Sequence, residues 1–203
     1  PRNYEAFTFG GAKLEEGTRP MNGAGEDAAT PLPPTRTLPL TLSGDGALRT
    51  SVEVPQTLDG SARMLVEMDY ADANGEILTA SRSIPIHASG VQLGIRTDGW
   101  LMKHDDLRLK LVALDTAGKP IAGQRIKVAL YSREILTARR RLIGGFYAYD
   151  NQMRTKRLDT DCTATTDAQG FAECTLDPGV SGEVHAVATT EDADGNVARA
   201  VQS

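Results

Sequence analysis

The 203-residue chain is poor in aromatics, at 5 % of residues, and holds two cysteines, one tryptophan and no excess of positive charge. Each shortage closes off a class of function. A formal net charge of -5 gives no general field for attracting DNA, RNA or an anionic membrane. A basic partner site would therefore be local, and no nucleic-acid partner is expected. No apolar run approaches the roughly 18 residues that span a bilayer, so direct membrane insertion is not expected either. Cys162 and Cys174 are too few for a disulfide scaffold and lack the four-ligand spacing of a zinc site. His87, His104 and His185 are scattered singly, so neither metal nor cofactor is expected. There is no G-x-S-x-G elbow, H-E-x-x-H pair, phosphate-binding loop or cysteine with a placed histidine. Acidic pairs such as Asp105-Asp106, Asp159/Asp161 and Asp192/Asp194 lie beside turns, where carboxylates are ordinarily solvated. The chain reads as non-enzymatic, with no catalytic residue. It opens on Pro1-Arg2 without Met or a signal-like apolar region, and we expect an excised fragment.

What the chain does have is a recurring turn, D-x-x-G, at Asp72–Gly75, Asp115–Gly118, Asp167–Gly170 and Asp192–Gly195. Asp can bond its own backbone further along and Gly accepts positive φ, so each reads as a hairpin turn. Alternating segments flank these turns. MLVEMDY puts Met64, Val66, Met68 and Tyr70 on one face, and LRLKLVAL does the same with Leu107, Leu109, Leu111 and Ala113. RIKVALY, KRLDTDCTAT, FAECTL and GEVHAVATT continue the period-2 series, and no long amphipathic helix is visible. Short strands separated by regular turns predict an all-β fold: two tandem antiparallel β-sandwich domains of the fibronectin III or Ig-like kind.

The boundary is expected in HASGV, His87 to Val91. The first sandwich would cover 1–89, with a Pro/Gly-rich mobile segment or crossing loop near 11–39. The second would cover 90–203, with a long excursion at 132–157. That excursion contains RRRLIGGFYAYDNQMRTKR, where Arg139, Arg140 and Arg141 precede Phe146, Tyr147 and Tyr149. An RNA-binding strand motif would need a basic residue where Ile143 stands and two helices that the flanks do not supply. Two readings of these six residues remain: Phe146 and Tyr149 cap their own core, or the cluster docks on neighbouring domains.

The runs DTAGKPIAGQRIKVALYSRE, GFYAYDN, CTATTDAQGFAEC, PGVSGEV and EDADGNVARA resemble the bacterial α2-macroglobulins in their macroglobulin-like sandwich domains, most clearly over 90–203 and least over 1–39. The resemblance implies consecutive macroglobulin-like domains from the middle of a large chain that traps or inhibits proteases to protect the cell envelope. The chain would act as non-catalytic scaffold, with neighbouring domains as direct partners and target proteases met through the parent. It also implies a periplasmic location, with the parent free or anchored as a lipoprotein. Neither cysteine opens a C-x-E-Q thioester motif, and no bait segment is identified. The alternative is a pair of Ig-like domains from a bacterial adhesin, with calcium held by the acidic turns. Cys162 and Cys174 flank the Asp167–Gly170 turn and share parity with Ala164, Ala172 and Leu176. We therefore expect a disulfide across one hairpin.

Overall fold

The computed structural model describes residues 4–21, 35–54, 58, 60–72, 74–98, 106–141 and 146–203, and among these there are strands and turns but no helix. The strands in chain order are β1 (Thr8–Phe9), β2 (Gly17–Pro20), β3 (Ala62–Ala71), β4 (Ile77–Ile86), β5 (Val91–Thr97), β6 (Leu107–Asp115), β7 (Arg125–Arg141), β8 (Tyr147–Thr165), β9 (Phe171–Leu176), β10 (Glu183–Glu191) and β11 (Val197–Gln202). One sheet runs β1-β5-β6-β9 and a second β11-β10-β7-β8-β2, while β3 and β4 form a separate hairpin. Pairing between these strands is antiparallel, and an isolated parallel bridge joins Gly10 to Ala200. The expected all-β antiparallel sandwich is what the chain forms.

Alternation explains the core. Leu107, Leu109, Leu111 and Ala113 of β6 face Ile126, Val128 and Leu130 of β7, joined by Leu93 and Ile95 of β5 and by Ala186, Ala188 and Ala200 of β10 and β11. Burying each large aliphatic side chain contributes about 1.5–3 kcal/mol before chain entropy is counted.

β6 is buried on its outer face as well, where Val112 and Leu114 are fully enclosed. The cover comes from the N-terminal segment. Phe9 pairs with Gly94, Gly94 with Val112, and Val112 with Phe171, a single row across four strands. A Cβ on Gly94 would lie 2.9 Å from the Phe9 ring and 2.8 Å from Val112 Cγ1, so only glycine leaves room for the ring. Tyr4 and Phe7 each pack 6.0 Å, centroid to centroid, from Phe171, and the Arg96 guanidinium lies 4.9 Å over Phe7. The same segment reaches the other sheet: the Val201 amide donates to the Gly10 carbonyl, and Thr8 Oγ1 bonds Gln202 Oε1. Residues 4–10 thus strap the two sheets together along the β5/β11 side.

All four D-x-x-G turns share one geometry. In each, the Asp Oδ1 accepts the amides two and four residues on, and the Gly has φ near +80°. Only two are hairpins within a sheet, however: Asp72–Gly75 joins β3 to β4 and Asp192–Gly195 joins β10 to β11. Asp115–Gly118 leads from the first sheet to the second, and Asp167–Gly170 leads back. This corrects the expectation that all four close hairpins. Buried Thr166 holds the second corner, accepting the Gln124 amide and donating to the Ile121 carbonyl.

Residues 1–89 differ from the sandwich expected there. Their described part supplies β1 and β2 to the sheets of the C-terminal sandwich, an exposed extended stretch at 35–54, and the β3–β4 hairpin. The segment near 11–39 is in part fixed structure, since β2 pairs with β8 from Gly17↔Thr155 to Pro20↔Gln152. Residues 22–34 lie outside the described residues. β4 ends at Ile86, β5 begins at Val91, and the buried core starts there.

Candidate docking surface

Within the 132–157 stretch, residues 132–141 and 147–157 are strand rather than loop. β7 and β8 run together from the sandwich to a tip at Arg141↔Tyr147, far beyond the last core pair; β2 lines β8 as far as Pro20↔Gln152, and past that pair the two strands project as a two-stranded ribbon. Where it leaves the core, Ala129 pairs with Asp161 but Tyr131 with Arg157, a bulge that places extra residues on β8. Bulges of this kind increase local twist and re-aim a strand. Leu158 inside the bulge is buried, and Arg157 clamps it by donating to both oxygens of Asp161 at 2.7 Å. Hydrogen bonding and charge attraction from Asp161 raise the Arg157 pKa above its ordinary value.

Register sorts the six sequence-level candidates. Arg139 stands opposite Tyr149 and Arg141 opposite Tyr147, so these four share one face of the ribbon. Arg140 pairs with Ala148 and lies on the other face. The Arg139 guanidinium sits 3.6 Å from the Tyr147 ring centroid, a diagonal cation–π contact. Phe146 is 73 % exposed and Tyr149 59 % exposed, so neither caps the core. Residues 142–145 lie outside the described residues.

Two neighbours on the shared face were not singled out from the sequence. Ile135, 63 % exposed, stands opposite Met153 in the same odd-numbered register. The β7 alternation of Ile126, Val128 and Leu130 continues to Leu136 and passes over Ile135, which lies on the opposite face, and Met153 is on β8. The face is therefore amphipathic, with apolar Ile135 and Met153 nearer the sandwich and Arg–Tyr pairs at the tip. That is the residue chemistry favoured at protein contacts, because Tyr and Arg bury area while keeping a polar end.

Cys162 and Cys174 are disulfide-bonded. Their strands belong to different sheets, since β8 pairs with β7 and β9 with β6. The bond therefore crosses the sandwich instead of spanning a hairpin. At the junction, Asp192 Oδ2 accepts from the Gly90 amide at 2.8 Å and the Ser89 hydroxyl at 3.1 Å. The Gly90 amide foremost, then Asn196 and Ser89, hold the Asp192 carboxyl well below the usual carboxylate range against some desolvation. The carboxylates of the acidic turns are thus engaged by their own backbone. Among the described residues, no group of three or more His, Cys, Asp or Glu side chains is placed to hold a metal ion. His87 is exposed on the junction, His104 lies outside the described residues, and His185 is buried on β10.

No protein-family model matches the chain, and no curated protein matches it in sequence. Solved structures do. The native conformation of Escherichia coli alpha-2-macroglobulin, determined by cryo-electron microscopy, superposes on 96 % of this chain with a TM-score of 0.54 at 15 % identity. The crystal structure of Salmonella alpha-2-macroglobulin reacted with methylamine covers 98 % with a TM-score of 0.59 at 12 % identity. Its structural neighbours are bacterial alpha-2-macroglobulins. At these identities the likeness is one of fold, and the chain spans 13 % of the length of each neighbour. A macroglobulin-type sandwich with a projecting ribbon is therefore the architecture on which the candidate surface is carried.

Proposed function

We propose that this chain is a non-catalytic scaffold segment of a bacterial alpha-2-macroglobulin that traps or inhibits proteases, and that its parent works in the periplasm. The observation that carries the reading is the match of both macroglobulin structures to nearly the whole chain. Their much greater length fits a segment that acts together with other domains. The Cys162–Cys174 bond supports an oxidising compartment. The ribbon face of Arg139, Arg141, Tyr147 and Tyr149 then serves as a docking surface for a neighbouring domain of the parent. Arg140 and Phe146 flank it. One sandwich of ordinary domain size cannot enclose a protease.

The test compares the parent with the isolated chain for protection of a trapped protease against a macromolecular inhibitor. The parent should protect and the chain should not. Measurable inhibition by the chain alone, or none by the parent, overturns the reading.

A further inference from the structure

The β3–β4 hairpin repeats β10–β11 at a constant spacing. Ala71 pairs with Ile77 as Glu191 pairs with Val197, the turns begin at Asp72 and Asp192, and Gly75 and Gly195 share a φ of 83° and 82°. In β10–β11 the even-numbered face, including Ala186, Ala188, Ala198 and Ala200, lies in the core against the opposite sheet. The even-numbered face of β3–β4 is more apolar still: Val66, Met68, Tyr70 and Leu78 occupy it, with Met64 and Ile84 beyond. Yet Val66 is 40 % exposed, Met68 50 % and Tyr70 43 %. The other face is mostly polar, carrying Arg63, Glu67, Asp69, Thr79, Ser81 and Ser83, with Leu65 and Ile77 as its exposed apolar exceptions.

Such a hairpin is half of a packed unit. Two isolated strands are marginal in water, and their apolar face must be covered by another layer. Among the described residues nothing is left to cover it. The two other sheets face one another, β1 and β2 belong to them, and residues 35–54 are exposed without strand. The one charge on the apolar face, Arg82, stands opposite Val66 and holds the position of Gln202; its long side chain can lie along apolar neighbours and keep its head in water.

Resting on the reading of the chain as a segment of a longer polypeptide, we propose that β3–β4 is the closing hairpin of a second sandwich. Its even-numbered face docks on the apolar inner face of a β-sheet supplied by the parent chain N-terminal to these 203 residues. The parallel with Asp192, whose Oδ2 fixes Gly90 at the head of β5, assigns Asp72 the same hold on the head of that sandwich's first strand.

Hydrogen exchange tests this, comparing the 203-residue chain with the same chain extended N-terminally by its parent sequence. The β3 and β4 amides should exchange at least about tenfold more slowly in the longer chain, and those of β5 to β11 should not change. Val66→Asp should abolish the added protection, while Asp69→Asn, on the polar face, should retain it. Equal exchange in the two chains overturns the proposal. So does a dimer of the 203-residue chain that Val66→Asp dissociates, since a second copy would then be the occupant. Loss of protease trapping by the parent with the hairpin still protected would sink the functional reading and leave this one standing.

Discussion

The Cα atoms of Cys162 on β8 and Cys174 on β9 lie 6.1 Å apart and join strands of opposite sheets. Because the closed loop is short, the chain-entropy model assigns the bond about 3 kcal/mol at most. Replacing both cysteines with alanine should lower unfolding stability by up to that amount, read as a reduced denaturant midpoint with little change in slope. Intact mass of material made in an oxidising compartment should show no free thiol.

Gly94 accommodates the Phe9 ring, which lies where a side chain would be. Gly94→Val should destabilise by about 1–3 kcal/mol through overpacking. In a Phe9→Ala background the cost should shrink, because the space opens. Additive losses in the double variant would show that the strap does not sit on Gly94 in solution.

Asp192 supplies a pH dependence whose sign follows from its lowered pKa. A carboxyl with a folded pKa below its unfolded value stabilises the native state above the unfolded value of about 3.9 and loses that contribution as pH falls through the folded one. Asp192→Asn should therefore melt lower than wild type at neutral pH, and the gap should close in strong acid. A gap that stays constant with pH would mean the carboxylate charge is not what fixes Ser89 and Gly90.

On the ribbon, Arg139→Glu with Arg141→Glu removes the cation–π contact and reverses the tip's charge. The isolated chain should lose no more than about 1 kcal/mol, as expected at exposed positions. Assembly or trapping by the parent should weaken. Unfolding of the isolated chain would show that these residues serve its own sandwich.

Trypsin should cut first at Arg36 or Arg49, in the exposed stretch 35–54 that has no strand pairing. The ribbon, although projecting, is paired along both strands and should be cut later. Early cleavage at Arg139 to Arg141 would show that the ribbon frays.

The alternation of LRLKLVAL and RIKVALY, the D-x-x-G turns and the cysteine pair were enough to read an antiparallel sandwich and a disulfide. Each rests on local chemistry: side chains two apart share a face, Asp with Gly makes the same turn wherever it stands. Which sheet a strand joins is not local. The turns at Asp115 and Asp192 match in every backbone bond, yet the first crosses between sheets and the second does not. Only the pairing of distant strands decides that, and with it the direction in which Cys162 meets Cys174. The strap of residues 4–10 likewise depends on register between segments far apart in sequence, whereas Arg140 falls away from Arg139 and Arg141 by alternation alone once 125–141 is strand. The apolar face of β3–β4 was legible as Met64, Val66, Met68 and Tyr70; that nothing in the described residues covers it became visible only once every other strand had found its partner.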